Sequence, residues 1–162
     1  MRAKVYIETS IISYLTARPS RDLMAAAAQQ ATREWWENQR EHFALYVSPL
    51  VLEEAAVGDA NAAAKRLETL QNIPLLEITL EVLNLAKALV AQKAMPMKAR
   101  DDATHIATAT IHHLNYLLTW NCKHLANAQM QEKLVAVSST LGYHLPRICT
   151  PYELIGEPND VQ

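Results

Sequence analysis

Residues 99–121 read ARDDATHIATATIHHLNYLLTWN. The first part has the composition of a helix over Ala99–Leu114, with Asp101 and Asp102 in its first turn. Tyr116–Thr119 is a short β-rich run, and Asn121 lies just past its end. A helix that leads into a buried strand, with acids at one end and a polar residue at the other, is a unit of a layered α/β domain.

The same alternation runs upstream. Residues 5–15, VYIETSIISYL, begin with an apolar strand over Val5–Glu8, after which Thr9 or Ser10 can cap a short helix to Leu15. Pro19 and Ser20 then mark a loop. Asp22 to about His42 reads as a long helix whose apolar side carries Leu23, Ala26, Ala27, Ala31, Trp35 and Trp36. Ala44–Val47 is a second strand. Ser48-Pro49 opens a helix with Ser48 as N-cap and Pro49 at the first helical position. Further helices are expected over about Ala60–Gln71 and Leu80–Lys93, with a third strand at Leu75–Ile78 between them. Short helical pieces follow Asn121 to Leu141, Gly142 stops them, and Ile148–Tyr152 adds an edge strand.

The 162 residues suit one domain, expected over 1–156, with a polar tail at 157–162. Half of the residues are apolar and a fifth are charged, the balance of a globular chain with a core of its own. Cys122 and Cys149 do not make a disulfide framework and fit a reducing cytoplasm. Glu8, Thr9 and Ser10 break the first apolar run, which argues against a signal peptide. No stretch approaches the roughly 20 apolar residues of a membrane span. The formal charge of −2 provides no overall attraction for nucleic acid, so phosphate contacts would need a local basic patch.

In open parallel sheets, ligands sit beyond the carboxyl ends of the strands. Glu8, Glu54, Asp102 and Asn121 all fall at such ends or on the helices beside them. Carboxylates gathered in one crevice repel one another, and a hard divalent ion such as Mg²⁺ or Mn²⁺ relieves the conflict. Taken singly, each has a plainer reading: Glu8 and Asp102 as dipole partners at helix N-termini, Glu54 as a solvated residue beside Glu53, Asn121 as a helix cap. Six histidines raise the question of zinc, but no C-x-x-C or H-E-x-x-H spacing occurs. His105 reads as a core partner or as a residue that positions Asp102 or a substrate. Three glycines leave no phosphate-cradling loop, and Ser10, Ser13 and Ser48 lack the setting of a nucleophilic triad.

Four short runs together resemble the PIN-domain family, the fold of VapC-type ribonuclease toxins. VYIETSIISYL resembles that family's opening strand and loop, with Glu8 where an Asp is usual. VSPLVLEEAAVGD resembles the second motif, with its acid at Glu54 and Glu53 as a nearby alternative. RDDATHIATA resembles the third, with the acid at Asp102. LLTWNCKHL resembles the last, with Thr119 matching the Thr and Asn121 in the acid's place.

The resemblance implies a three-layer α/β/α PIN-like fold with a central, mainly parallel sheet. It implies a Mg²⁺- or Mn²⁺-dependent endoribonuclease that hydrolyses single-stranded RNA, leaves a 5′-phosphate and a 3′-hydroxyl, and acts as the toxin of a VapBC-type pair. Glu8, Glu54, Asp102 and Asn121 are the expected catalytic residues, and the first three the metal ligands. Thr9, Thr119 and Asp101 support them. Lys98, Arg100 and Lys123 are the expected substrate contacts, with Arg18, Arg21 and His124 nearby. Asn at 121 removes one charge, so one well-formed metal site and a weaker second one are expected. Expected partners are single-stranded RNA, an antitoxin that inserts a basic side chain into the crevice, and a second copy of the chain docked near Trp35 and Trp36. The competing reading is a PIN-fold protein with weak or no catalysis that binds RNA or a protein partner.

Overall fold

The computed structural model describes residues 1–155; Gly156 and the expected tail at 157–162 lie outside the described residues. The described strands are β1 (Ala3–Ile7), β2 (Phe43–Tyr46), β3 (Tyr116–Leu118) and β4 (Arg147–Cys149). They form one sheet in the order β2-β1-β3-β4, and every pairing is parallel. Val5 lies opposite Leu45 on one side and Tyr116 on the other, and Leu117 lies opposite Ile148. Helices α1 (Thr9–Thr16) and α2 (Leu23–Asn38) join β1 to β2. Helices α3 (Pro49–Ala55), α4 (Ala60–Leu70), α5 (Leu80–Ala91) and α6 (Arg100–Ile111) join β2 to β3, and α7 (Ala128–Thr140) joins β3 to β4.

Val5, Tyr6 and Ile7 are fully buried, as a central strand covered on both faces requires. On one face, Trp35 of α2 stacks on Phe43 at 5.8 Å, and Phe43 meets Tyr116 edge-on. On the other, Tyr6 reaches Ser48 and His105 of α6. The sheet therefore lies between two helical layers. The first crossover leaves β1 in one direction and the second returns past β1 to β3. Right-handed crossovers running in opposite directions place their helices on opposite faces. The reversal opens a crevice beyond the carboxyl ends of β1 and β3, where ligands bind in open sheets of this kind.

Several expectations need correction. Leu75–Ile78 is not a strand. It makes a single bridge, Val47 with Leu75, flanked by Val47 N–H to Pro74 O at 3.0 Å and Leu76 N–H to Val47 O at 2.7 Å. Leu75 is more than half exposed, and the chain turns at once into α5 under its Thr79 cap. The segment after Asn121 contains one 13-residue helix rather than short pieces, started by Asn127, which accepts from the amides of Gln129 and Met130. Gly142 ends it at φ +84°, a conformation open to glycine without strain. The last strand stops at Cys149, before Pro151, which has no N–H for a ladder. Trp35 is a core residue, 2 % exposed, and its indole N–H donates to Leu154 O at 2.6 Å, so it offers no docking surface. Trp36 is half-buried beneath Arg40, 4.6 Å from its ring. Among the described residues no helix is long and apolar enough to cross a membrane.

Candidate functional site

Glu8 is the first residue after β1 and the N-cap of α1, so Glu8, not Thr9 or Ser10, fills that position. It is only 6 % exposed. Its Oε2 accepts from the Ser10 amide at 3.0 Å, and its Oε1 accepts from the Ser10 hydroxyl at 2.6 Å and from the Thr119 hydroxyl. Each hydroxyl has its proton directed at Glu8, because a carboxylate oxygen only accepts, and each accepts a backbone N–H in turn. Trp120 N–H donates to Ser10 Oγ at 2.8 Å, and Asn121 N–H to Thr119 Oγ1 at 3.0 Å. The dipole reading and the ligand reading of Glu8 are thus compatible: one oxygen caps α1 while the side chain faces the loop after β3.

Glu54 arrives from α3. Its Oε1 accepts from the Thr9 hydroxyl and from His105 Nε2, both at 2.6 Å. Its Oε2 has no hydrogen-bond partner among the described residues. Burial pushes Glu54 up, but the His105 N–H and charge, with help from Thr9, outweigh it and bring its pKa below the ordinary value. His105 is fully buried. Burial lowers its pKa, yet the bond to Glu54 and the charges of Glu8, Glu54 and Asp102 carry it above the usual histidine value.

Asp102 lies in the first turn of α6 and is half-buried. Asn121 Nδ2 donates to its Oδ2 at 3.3 Å. Burial raises its pKa; His105 pulls it down, Glu8 pushes it up, and the net shift is upward. Asn121 Oδ1 accepts from the amides of Lys123 and His124 at 3.2 and 3.0 Å, so this residue caps the turn after β3 and orients Asp102 with its NH₂. Asp101 is exposed and makes no side-chain hydrogen bond among the described residues. Lys98, Arg100 and Lys123 are exposed too, and their side chains make no hydrogen bond or ion pair there.

Ligand atoms of Glu8, Glu54 and His105 lie within 4.8 Å of one another. Asp102 falls outside that trio but faces the same charges. Glu53, the alternative for the second motif, points to solvent. The donor set fits a hard divalent cation. The charges of Glu8 and Glu54 bear unfavourably on Asp102, a repulsion that such an ion relieves. Sequence reasoning left the role of His105 open, and missed Ser10, Tyr6 and the second role of Ser48. The spacing that raised the second possibility for His105, three residues after Asp102, places both on one side of α6.

Comparison with known proteins follows the same lines. Residues 5–123 match the PIN-domain family model. No curated protein matches the sequence. Among solved structures, the chain is similar to one in the crystal structure of VapBC2 from Rickettsia felis bound to a DNA fragment from their promoter. The TM-score is 0.59 at 13 % identity, covering 91 % of this chain and 98 % of that one. At that identity the likeness is one of fold.

Proposed function

Because this chain belongs to the PIN-domain family, we propose that it is a Mg²⁺- or Mn²⁺-dependent endoribonuclease of single-stranded RNA and the toxin of a VapBC-type pair. The observation that carries the proposal is the approach of Glu8, Glu54 and His105 to within 4.8 Å of one another, with Asp102 near enough to feel the charges of both glutamates.

In this reading Glu8 is the fixed anchor, since three donors hold it in place. Asp102 completes the ligand set under the hold of Asn121. Glu54 offers Oε2, which has no hydrogen-bond partner among the described residues. A divalent ion, when bound, supplies a Lewis acid for a phosphate oxygen and lowers the pKa of a water. Lys98, Arg100 and Lys123 receive the flanking phosphates, as exposed cations at the start of α6 and after β3. An unpaired strand is the substrate that the family implies, and the sequence contains no groove-reading helix motif. The similarity to a VapBC2 chain supports an antitoxin partner. A homodimer is part of the proposal, and exposed Leu23 and Met24 on α2 and Leu80 and Leu83 on α5 are apolar area available to partners. The protein is placed in the cytoplasm, where RNA and free thiols are both at home.

The test is cleavage of a panel of single-stranded RNAs with Mn²⁺ by the wild type and by Asp102→Ala. Loss of activity in the variant is expected, and equal activity would remove Asp102 from the mechanism.

A second reading, a PIN-fold protein that binds RNA or a partner with little or no catalysis, draws on Asn121. Its oxygen is engaged by two backbone amides and its charge is gone, so the crevice has one acid fewer. Calorimetry separates the two: no Mn²⁺ binding near millimolar concentration favours the second.

A further inference from the structure

Behind Glu54 runs a chain of polar groups that the proposed mechanism does not use. Ser48, Tyr6 and His105 are fully buried, one each from the start of α3, the carboxyl half of β1 and the second turn of α6. Ser48 Oγ and Tyr6 Oη are 2.8 Å apart, Tyr6 Oη and His105 Nδ1 are 2.5 Å apart, and His105 Nε2 ends the chain on Glu54. Glu54 is the member that reaches the crevice, with its side chain 31 % exposed. A carboxylate only accepts, so Nε2 carries a proton and donates it to Oε1.

Buried polar networks cost stability unless every member is satisfied, and an apolar set of the same volume would fill this space more simply. Ser48 shows where the network's use lies. It stands at the N-cap of α3, yet its hydroxyl makes no capping bond and turns to Tyr6 instead. The network ties β1, α3 and α6 together at Glu54, which sits on a helix of only seven residues. Left free, a glutamate samples many rotamers and must lose that freedom when it binds a cation.

We propose that His105 is a positioning residue for Glu54: its Nε2–H, braced by Tyr6 and Ser48, holds Oε1 and leaves Oε2 presented to the divalent cation. This inference rests on the reading of the crevice as a metal site. Hydrogen-bonded outer partners of ligating carboxylates tune affinity, and their loss costs about 10- to 100-fold.

The test measures Mn²⁺ affinity by calorimetry for wild type, His105→Leu, His105→Gln and Tyr6→Phe, with melting in EDTA to confirm folding. Mn²⁺ electron spin-echo spectra of the wild type report whether nitrogen is coordinated. His105→Leu should bind about 10- to 100-fold more weakly. His105→Gln, which keeps an N–H donor, should recover most of that loss, and Tyr6→Phe should fall between. At saturating Mn²⁺ the KM for RNA should stay near the wild-type value. Wild-type affinity in His105→Leu overturns the inference while the metal site stands. Should that variant not fold, unchanged affinity in Tyr6→Phe overturns it equally. A ¹⁴N coupling to Mn²⁺ overturns it by making His105 a ligand. No binding by the wild type removes the metal reading, and this inference with it.

Discussion

Replacing Glu8 by Gln separates its two jobs, capping α1 and holding a cation. The glutamine oxygen can still accept the hydroxyls of Ser10 and Thr119, which both bond to Oε1. Its NH₂ would then oppose the Ser10 amide that now donates to Oε2. A buried donor facing a donor costs about 1–3 kcal/mol. Removing the charge relieves part of this, because Glu8 bears unfavourably on Asp102, although it also favours a charged His105. A net loss of about 1–2 kcal/mol in EDTA follows, or roughly 2–8 °C in Tm for a chain of this size. The response to metal should differ far more. At Mn²⁺ one hundred times Kd, the wild type gains about 2.7 kcal/mol, equivalent to roughly 5–11 °C. The variant should gain less than about a quarter of that. Scanning calorimetry of both proteins, in EDTA and in Mn²⁺, gives the four numbers needed. An equal Mn²⁺ shift in both would mean that Glu8 is no ligand. A variant more stable than wild type in EDTA would show that repulsion, not hydrogen bonding, dominates at this carboxylate.

Asp102→Asn should behave oppositely without metal. Burial and Glu8 disfavour its charge, so in EDTA at neutral pH the variant should melt above wild type, while Mn²⁺-dependent cleavage falls at least about 100-fold; a lower Tm in EDTA would contradict the electrostatics drawn here. Thr119→Val removes a hydroxyl that donates to a buried carboxylate, and urea titration should read a loss of about 1.5–3 kcal/mol. The metal-free protein should show a pH window of stability. His105 is raised, so its contribution is complete below 6.5 and fades as pH rises through its folded value; Glu54 is lowered, so its contribution is present above 4.5 and fades in acid. Tm should therefore be highest between those values, and in His105→Leu the alkaline decline should disappear. Neutralising Lys98, Arg100 and Lys123 together should flatten the salt dependence of RNA binding by about 2 logarithmic units per decade of salt, and an unchanged slope would place the phosphates elsewhere.

How much could be read in advance follows from how local each signal is. Glu8 and Asp102 stood out because an acid at the end of a buried strand and an acid in a helix's first turn are anomalies visible within a few residues. The alternation that carries β1, β2, β3 and most helices is equally local. Leu75–Ile78 misled because its apolar residues suit a strand, whereas strand identity depends on a neighbour able to pair, and Val47 offers one bridge only. Trp35 and Trp36 are adjacent in sequence, and only the packing of α2 against Phe43 decides which of them is buried. The network behind Glu54 was beyond reach. Tyr6 bonds to residues 42 and 99 positions away, and an aromatic in a buried strand reads as plain core until its hydroxyl is seen to have partners. Asn121 was legible as a cap and as a variant of an acid, and it took the fold to show both sides of its amide at work.

Anomalous diffraction from crystals soaked in Mn²⁺ addresses the central point most directly. One peak is expected in the crevice between β1 and β3, about 2.0–2.4 Å from carboxylate oxygens of Glu8, Glu54 and Asp102. Crystals that take up the ion elsewhere, or leave those three side chains without a peak at millimolar Mn²⁺, would contradict it.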